Sequence, residues 1–112
     1  MKIYHNPRCS KSRQSLQLLE EAKQDIEVVK YLDTPPTKEE LEDILKKLGM
    51  KPSEIIRKGE AIYKENYKGK DLTEEEWIDV LLEHPKLIER PIIVHGDKAV
   101  IGRPPEKVKE LF

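Results

Sequence analysis

Several features that would narrow the function of a protein at once are scarce in this chain. Its 112 residues include one cysteine, one tryptophan and one phenylalanine, and 21 basic residues nearly balance 22 acidic ones. One cysteine cannot form an intramolecular disulfide, and with three histidines it is a poor candidate for a structural zinc site, which takes four ligands. A net charge of −1 without a basic stripe argues against general nucleic-acid binding.

Long apolar runs are scarce too. Stretches such as residues 80–82 and 92–94 are far shorter than the roughly 20 apolar residues that a membrane-spanning helix needs. The first seven residues contain no apolar segment of the kind found in a secretory signal. We therefore expect a cytoplasmic protein, and the length suits one domain spanning residues 1–112.

The first third of the chain predicts a strand, a helix and a second strand. Residues 1–5 form a short apolar run that ends at a turn, and residues 26–32 are rich in β-branched side chains. Between them, from Ser10 to about residue 23, Leu16, Leu19 and Ala22 keep helical spacing and should form the buried face. This order is typical of a βαβ unit with a parallel pair of strands.

A helical segment follows, over about residues 37–84. Thr37 with Glu40, and Thr73 with Glu76, have the spacing of capping boxes, which predicts a helix after each threonine. Gly49 suits the end of the first of these helices. Two shorter helical turns are expected between them, from Pro52 and over residues 61–66, and the second capped helix should end near His84.

The C-terminal part predicts a hairpin and a last helix. Residues 92–95 and 98–101 are short β-type runs on either side of Gly96-Asp97, a dipeptide typical of hairpin turns. Pro104 and Pro105 suit the first turn of a helix that ends near Leu111, with Arg103 at its N-cap. The whole order is βαβ, then helices, then ββα, which indicates an α/β fold with a helical insertion.

Cys9 is the most informative position. It lies where a strand has turned and a helix begins, and free amide groups with the positive end of the helix dipole favour a thiolate there. Arg8, Lys11 and Arg13 add positive charge, and the Ser12 hydroxyl is placed to donate to the sulfur. The thiol pKa should therefore lie below its usual value of about 8.5. The alternative, a buried cysteine that packs as a small apolar residue, fits its polar neighbours poorly.

The motif around Cys9 is a Cys-x-x-Ser variant of the thioredoxin-type Cys-x-x-Cys, with Ser12 in place of the second thiol. It also differs from the Cys-x5-Arg loop of phosphatase-like reductases, because Ser15 stands at the arginine position. The motif is weakly specific by itself. If Cys9 takes part in redox chemistry, the second thiol has to come from another molecule. His5 either polarises this site or only completes the strand.

Five segments of the sequence resemble the glutaredoxin-linked arsenate reductases, the ArsC-like family, over nearly the whole chain. They are Tyr4-His5-Asn6-Pro7-Arg8-Cys9, Tyr31-Leu32 with Pro35-Pro36, Ile56-Arg57-Lys58, the run from His84 to Val94, and Gly102-Arg103-Pro104-Pro105-Glu106. The resemblance implies a thioredoxin-like fold with a mixed four-stranded sheet and a helical insertion. It also implies a cis proline at Pro91 facing the active thiol.

The resemblance further implies the roles of the site residues. Cys9 would be the nucleophile, assisted by His5 and Ser12, and the oxyanion would be bound by Arg57, Arg90 and Arg103. Arginine suits that task because its planar fork of donors matches a tetrahedral oxyanion. Arg8 and Arg13 add charge but are not expected to bind.

The reaction implied is the reduction of arsenate to arsenite through a Cys9–arsenic adduct. Glutathione would be the co-substrate, and glutaredoxin would clear the resulting mixed disulfide. No bound cofactor and no metal are expected, nor are nucleic-acid or membrane partners, and we expect a monomer.

Three alternatives stay open. The protein could be a thiol-redox enzyme of the same fold with a different substrate. It could be a regulator similar to Spx, which binds RNA polymerase, although such regulators carry Cys-x-x-Cys and Ser12 removes that switch. It could also be an oxyanion-binding or structural domain with an idle thiol, which an ordinary Cys9 pKa would favour.

Overall fold

Four strands form one mixed sheet in the order β2-β1-β3-β4. They are β1 (Lys2–Tyr4), β2 (Glu27–Val29), β3 (Ile92–His95) and β4 (Lys98–Ile101). β1 pairs in parallel with β2 and antiparallel with β3, and β3 pairs antiparallel with β4. The predicted α/β class with a mixed four-stranded, thioredoxin-like sheet is confirmed, although β2 is shorter than the predicted strand.

The computed structural model describes the whole chain, Met1–Phe112, and the chain divides into two compact units. The first contains residues 1–34 and 90–112, and with them the sheet; the second contains residues 35–89. The extent of the single domain, with its insertion at about residues 37–84, stays a prediction. No helix is both long enough and apolar enough to cross a membrane.

Helix α1 (Ser10–Glu21) connects the two parallel strands, as a parallel pair requires. Of the predicted face, Leu19 is buried and Leu16 is partly buried against the core, whereas Ala22 is exposed; Ser12 and Ser15 are buried as well. The helix ends before Ala22, and Lys23 then adopts a positive φ of 57°. Small side chains over the first two turns let the helix lie close to its neighbours, which a search for large apolar residues overlooks.

The last helix is correctly placed but of another type. Residues Pro105–Leu111 form a 3-10 helix, and its N-cap is Pro104 rather than Arg103. Val108 and Leu111 from this helix join Ile3, Leu19 and Ile93 in the apolar core of the first unit.

The second unit is helical. It contains α2 (Lys38–Leu48), α3 (Ala61–Asn66) and α4 (Glu74–Glu83), with 3-10 helices at Pro52–Ile55 and Pro85–Leu87. Both predicted capping boxes are present, at Thr37 with Glu40 and at Thr73 with Glu76. Gly49 ends α2 with a φ of 67°, a left-handed conformation that glycine adopts without steric cost.

Two segments of the second unit are held side by side by backbone hydrogen bonds. The Arg57 amide donates to the Leu87 carbonyl at 2.7 Å, and the Glu89 amide donates to the Ile55 carbonyl at 2.8 Å. The buried core of this unit is made of Leu41, Ile44, Leu45, Ile55, Ile56, Trp77, Val80, Leu81, Leu87 and Ile88. The backbone on either side of Arg57 is therefore fixed by an apolar core, although the arginine itself is only half-buried.

Candidate active site

Cys9 is the N-cap residue of α1, with φ −93° and ψ 123°. Its own backbone is held on both sides: its amide donates to the Asn6 carbonyl at 3.0 Å, and its carbonyl accepts from the Arg13 amide at 3.0 Å. Residues 5–9, here called the thiol loop, thus present a partly exposed sulfur at the start of the helix. The sequence predicted this position.

The surroundings of the sulfur lower the pKa of the Cys9 thiol. Burial alone would raise it, but the Ser12 amide, the Arg90 guanidinium and the Lys11 amide together stabilise the thiolate and outweigh that effect. The first turn of α1 contains no acidic residue that would oppose them. The thiolate is therefore favoured, chiefly by backbone amides and by an arginine distant in sequence.

Arg103 is the second arginine at the sulfur. Its Nη2 lies 3.6 Å from Cys9 Sγ, and its Nε donates to the Arg90 carbonyl oxygen at 2.8 Å. The guanidinium is thereby oriented by the backbone of one residue while it donates to the side chain of another. Arg90 and Arg103 both contact Cys9, so two cations converge on one thiol.

Arg90 has Tyr31 as its second neighbour. Burial alone would lower the pKa of the guanidinium, but the Tyr31 phenol and the Cys9 thiol raise it. Tyr31 is 1% exposed, which makes it one of the most buried large side chains of the protein. The Arg90 charge is thus kept beside the sulfur by a buried aromatic residue.

His5 and Ser12 form a buried pair next to the sulfur. His5 Nδ1 lies 2.6 Å from Ser12 Oγ, which also accepts a hydrogen bond from the Asn6 amide at 3.1 Å. The pKa of His5 is lowered, first by burial and then by the positive charges of Lys30 and Arg13. The sequence-based expectation placed the Ser12 hydroxyl on the sulfur; in the structure the Ser12 amide stabilises the thiolate, while the hydroxyl faces His5.

Comparison with known proteins identifies the family of this chain. The ArsC family model matches residues 4–111. The chain belongs to the ArsC family. It is 46% identical over 114 residues to the arsenate reductase of Neisseria meningitidis serogroup A, covering 100% of this chain and 97% of that protein.

Two further proteins are similar to this chain over nearly their full length. The Escherichia coli protein YfgD is 52% identical over 113 residues, covering 99% of this chain and 95% of that protein. A solved structure, "Arsenate reductase from Vibrio cholerae", superposes with a TM-score of 0.93 at 45% identity and covers 100% of this chain and 98% of that one. The fold and family resemblance drawn from the sequence is therefore confirmed.

The third arginine expected in this ArsC protein, Arg57, lies in the second unit. Its Nε lies 3.4 Å from a carboxylate oxygen of Glu60, and its Nη1 lies 3.9 Å from one of Glu89. Both pairs are weak by distance, and 23% of the Arg57 side chain is exposed. A role for Arg57 in binding the oxyanion stays a prediction.

Pro91 packs closely against Gly102, a contact that the sequence did not indicate. The Arg90–Pro91 peptide bond is cis, as is Arg103–Pro104. The Pro91 carbonyl accepts from the Gly102 amide at 2.9 Å, and Ser15 of α1 packs directly on Gly102. A side chain at position 102 would collide with both Ser15 and Pro91, so glycine is required between the helix and the strand.

Two contributors to the site were missed in the sequence, and each had a faint signal or none. Ser15 shares the buried face of α1 with Ser12 and Leu19 at helical spacing, but its polarity conceals the pattern. Tyr31 is prominent among the residues shared with the family, yet nothing in its neighbours indicates an arginine partner.

No group of three or more histidine, cysteine, aspartate or glutamate residues is arranged to hold a metal ion.

Proposed function

We propose that this ArsC protein reduces arsenate to arsenite, with Cys9 as nucleophile and with glutathione and glutaredoxin as the thiol donors. The observation that carries the proposal is the convergence of Arg90 and Arg103 on the Cys9 sulfur, with an Arg103 Nη2–Sγ distance of 3.6 Å. The arsenate reductase of Neisseria meningitidis, similar over nearly its full length, supports the choice of substrate.

The two arginines suit an anionic substrate for an electrostatic reason. A thiolate and an arsenate dianion repel each other, and the repulsion is strong where the surroundings are partly desolvated. The guanidinium groups of Arg90 and Arg103 reduce it, and each presents a planar fork of donors to the oxygens of a tetrahedral anion. The same groups stabilise the thiolate before the substrate arrives, so nucleophile and substrate share one cationic environment.

In the first step the Cys9 thiolate attacks arsenic(V). A sulfur–arsenic bond forms, one arsenate oxygen leaves as water after taking up protons, and the adduct keeps its remaining oxygens on the arginines. The low thiol pKa matters here because the thiolate, rather than the thiol, is the nucleophile.

In the second step the thiol of glutathione completes the reduction. Its sulfur bonds to the Cys9 sulfur as the sulfur–arsenic bond breaks, and the electron pair of that bond stays on arsenic, which becomes arsenite. The sum is Cys9 thiol plus glutathione plus arsenate giving mixed disulfide plus arsenite plus water. A glutaredoxin thiolate then attacks the glutathione sulfur of the mixed disulfide and releases the Cys9 thiolate.

His5 and Ser12 have a supporting role in this proposal. His5 is neutral near pH 7 because its pKa is lowered, and its 2.6 Å contact with the Ser12 hydroxyl holds the thiol loop against the first turn of α1. The Ser12 amide is then correctly placed for the thiolate. Arg57 is proposed as a third ligand of the oxyanion. We further propose that the protein is cytoplasmic and monomeric.

The experiment that tests the proposal is arsenate-dependent oxidation of NADPH, coupled through glutathione, glutathione reductase and glutaredoxin. Wild-type protein should turn over, and Cys9→Ser should not. Arg90→Ala should lose most of the activity while keeping the circular dichroism spectrum of a folded protein. An exposed lysine variant, Lys107→Ala, serves as the matched control because it removes one charge from the last helix.

Absence of turnover with several glutaredoxins, in protein shown to be folded and reduced, would contradict the proposal. In that case a thiol-redox activity on another substrate becomes the better hypothesis. Ser12 stands where regulators of the Spx type carry a second cysteine, which disfavours that alternative.

A further inference from the structure

A second feature of interest lies beside the thiol loop. A cavity of about 370 Å³ is lined by residues 5–8 of that loop, and by Lys30, Leu32 and Asp33, which follow β2. Its volume falls within the range of small-molecule sites, about 300–1,000 Å³. Neither the nucleophile nor the two arginines at the sulfur lines it.

The charged groups of this cavity form a distinct pattern. Arg8 and Lys30 supply two cations, Asp33 supplies one carboxylate, and all three are exposed side chains. Pro7 and Leu32 add apolar surface, and Leu32 is one of the few large apolar side chains that the protein leaves exposed, at 37%. His5 of the buried His5–Ser12 pair is part of the same cavity wall, and the positive charge of Lys30 helps to lower its pKa.

We propose that this cavity binds the peptide thiol that reduces the Cys9 adduct; the inference rests on the proposed function and adds to it the place of the thiol donor. A peptide of the glutathione type carries two carboxylates and one ammonium group, which is the complement of two cations and one carboxylate. Its central cysteine has an apolar methylene for Pro7 and Leu32.

The wall of the cavity adjoins the reacting residue, because Arg8 of that wall directly precedes Cys9 in the chain. Asn6 is part of the cavity wall, and its carbonyl accepts the hydrogen bond of the Cys9 amide at 3.0 Å. A thiol donor in the cavity is thus bound against the residues that position the nucleophile, whereas Arg90 and Arg103 remain available for the oxyanion. The two co-substrates would then bind through separate sets of cations.

Thiol–disulfide exchange without arsenate tests this site on its own. The Cys9 thiolate attacks one sulfur of glutathione disulfide, a mixed disulfide forms and one glutathione thiolate leaves, and mass spectrometry follows the product. Cystamine, a disulfide with ammonium groups and no carboxylates, is the comparison probe. The uncharged reagent iodoacetamide measures the intrinsic reactivity of Cys9 in every variant, so any indirect effect through His5 can be corrected.

The double variant Arg8→Gln with Lys30→Gln should react with glutathione disulfide about two- to thirtyfold more slowly, since two exposed charge contacts are each worth about 0.2–1 kcal/mol. Its rate with cystamine should not fall. The matched control, Lys98→Gln with Lys107→Gln, loses the same net charge outside the cavity and should retain the wild-type rate. Asp33→Asn should slow the reaction with glutathione disulfide by about twofold, since it removes one exposed charge contact.

Equal loss in the cavity and control variants, or equal loss with both disulfides, would overturn the proposal. The outcome does not depend on the oxyanion, because no arsenate is present. A protein that fails to reduce arsenate but keeps the cavity-dependent preference for glutathione disulfide would refute the proposed substrate and support the thiol site.

Discussion

Arg103 and Arg90 are joined by a hydrogen bond from the Arg103 Nε to the Arg90 carbonyl oxygen, at 2.8 Å. The two residues stand on either side of the β3–β4 hairpin, 13 positions apart in sequence. Because Nε is committed to this bond, the Nη2 end of the same guanidinium is directed at the Cys9 sulfur. The hairpin thus fixes the orientation of one arginine at the Cys9 sulfur through the backbone of the other.

Replacing Arg103 by lysine should separate charge from orientation. Lysine keeps the positive charge but has no fork of donors, so it cannot bond to the Arg90 carbonyl and the Cys9 sulfur in the same way. The loss of a charge-assisted hydrogen bond costs about 1.5–3 kcal/mol, and kcat/KM for arsenate should fall by about ten- to a hundredfold. Steady-state kinetics in the coupled assay give the value. The reverse exchange at an exposed position of β4, Lys98→Arg, should change kcat/KM by less than about twofold, and equal effects of the two variants would refute the orientation argument.

The pH dependence of Cys9 reactivity should follow the lowered pKa of its thiol. Alkylation by iodoacetamide should reach half of its maximal rate at a pH below about 8.5, the usual value for cysteine. Arg90→Gln should move that midpoint upward, since it removes both the hydrogen bond and the positive charge at the sulfur. Lys107→Gln removes an exposed cation from the last helix and serves as the control. A normal midpoint in the wild-type protein would remove the case for a preformed thiolate.

His5 should make the protein less stable in mild acid. Its folded-state pKa lies below the ordinary value of 6.5, so the unfolded chain binds the proton more tightly. The stability that the neutral ring contributes is present above pH 6.5 and is lost as the pH falls towards the folded-state pKa, at no more than about 1.4 kcal/mol per pH unit. Urea unfolding at pH 7.5 and 5.5 should show a larger loss for wild type than for His5→Asn. Parallel losses in the two proteins would contradict the lowered pKa.

Gly102→Ala should destabilise the first unit. The added methyl group would lie 2.9 Å from Pro91 Cγ and closer still to Ser15 Oγ. Overpacking of this kind costs about 1–3 kcal/mol, and chemical unfolding measures it. Gly59→Ala is the matched control, because nothing lies within 4 Å of the position that its methyl group would take. Adding Ser15→Ala to Gly102→Ala should recover part of the loss, and a purely additive double variant would show that the two residues do not collide.

The elements that the sequence predicted well are those with a local cause. The capping boxes of Thr37 and Thr73 set the starts of two helices, and the turn at Gly96 set the hairpin, because each depends on residues a few positions apart. The reactive position of Cys9 is local in the same sense, since it needs only a turn followed by a helix. The resemblance to the ArsC family supplied the fold that these pieces form.

The contacts that were not predictable depend on residues far apart in the chain. The approach of Arg103 to Cys9 spans 94 positions and that of Ser15 to Gly102 spans 87, and no local spacing encodes either. The buried face of α1 was right at Leu19 and wrong at Ala22, and it lacked Ser12 and Ser15, which occupy interior positions where helical periodicity favours leucine. The sequence also could not distinguish a 3-10 helix from an α-helix at residues 105–111, because a proline-rich start is compatible with both.

The dependence of the Cys9 thiolate on the amides of Lys11 and Ser12 gives the site a form of mutational robustness. Backbone amides are common to every residue except proline, so substitutions at position 11 should leave this part of the stabilisation intact whatever side chain they introduce. Side-chain changes at this position therefore do not alter the contribution that the backbone amides make to the low pKa of the Cys9 thiol. Proline at position 11 or 12 is the exception, since it would remove the donor while leaving the charge of the neighbouring arginines in place.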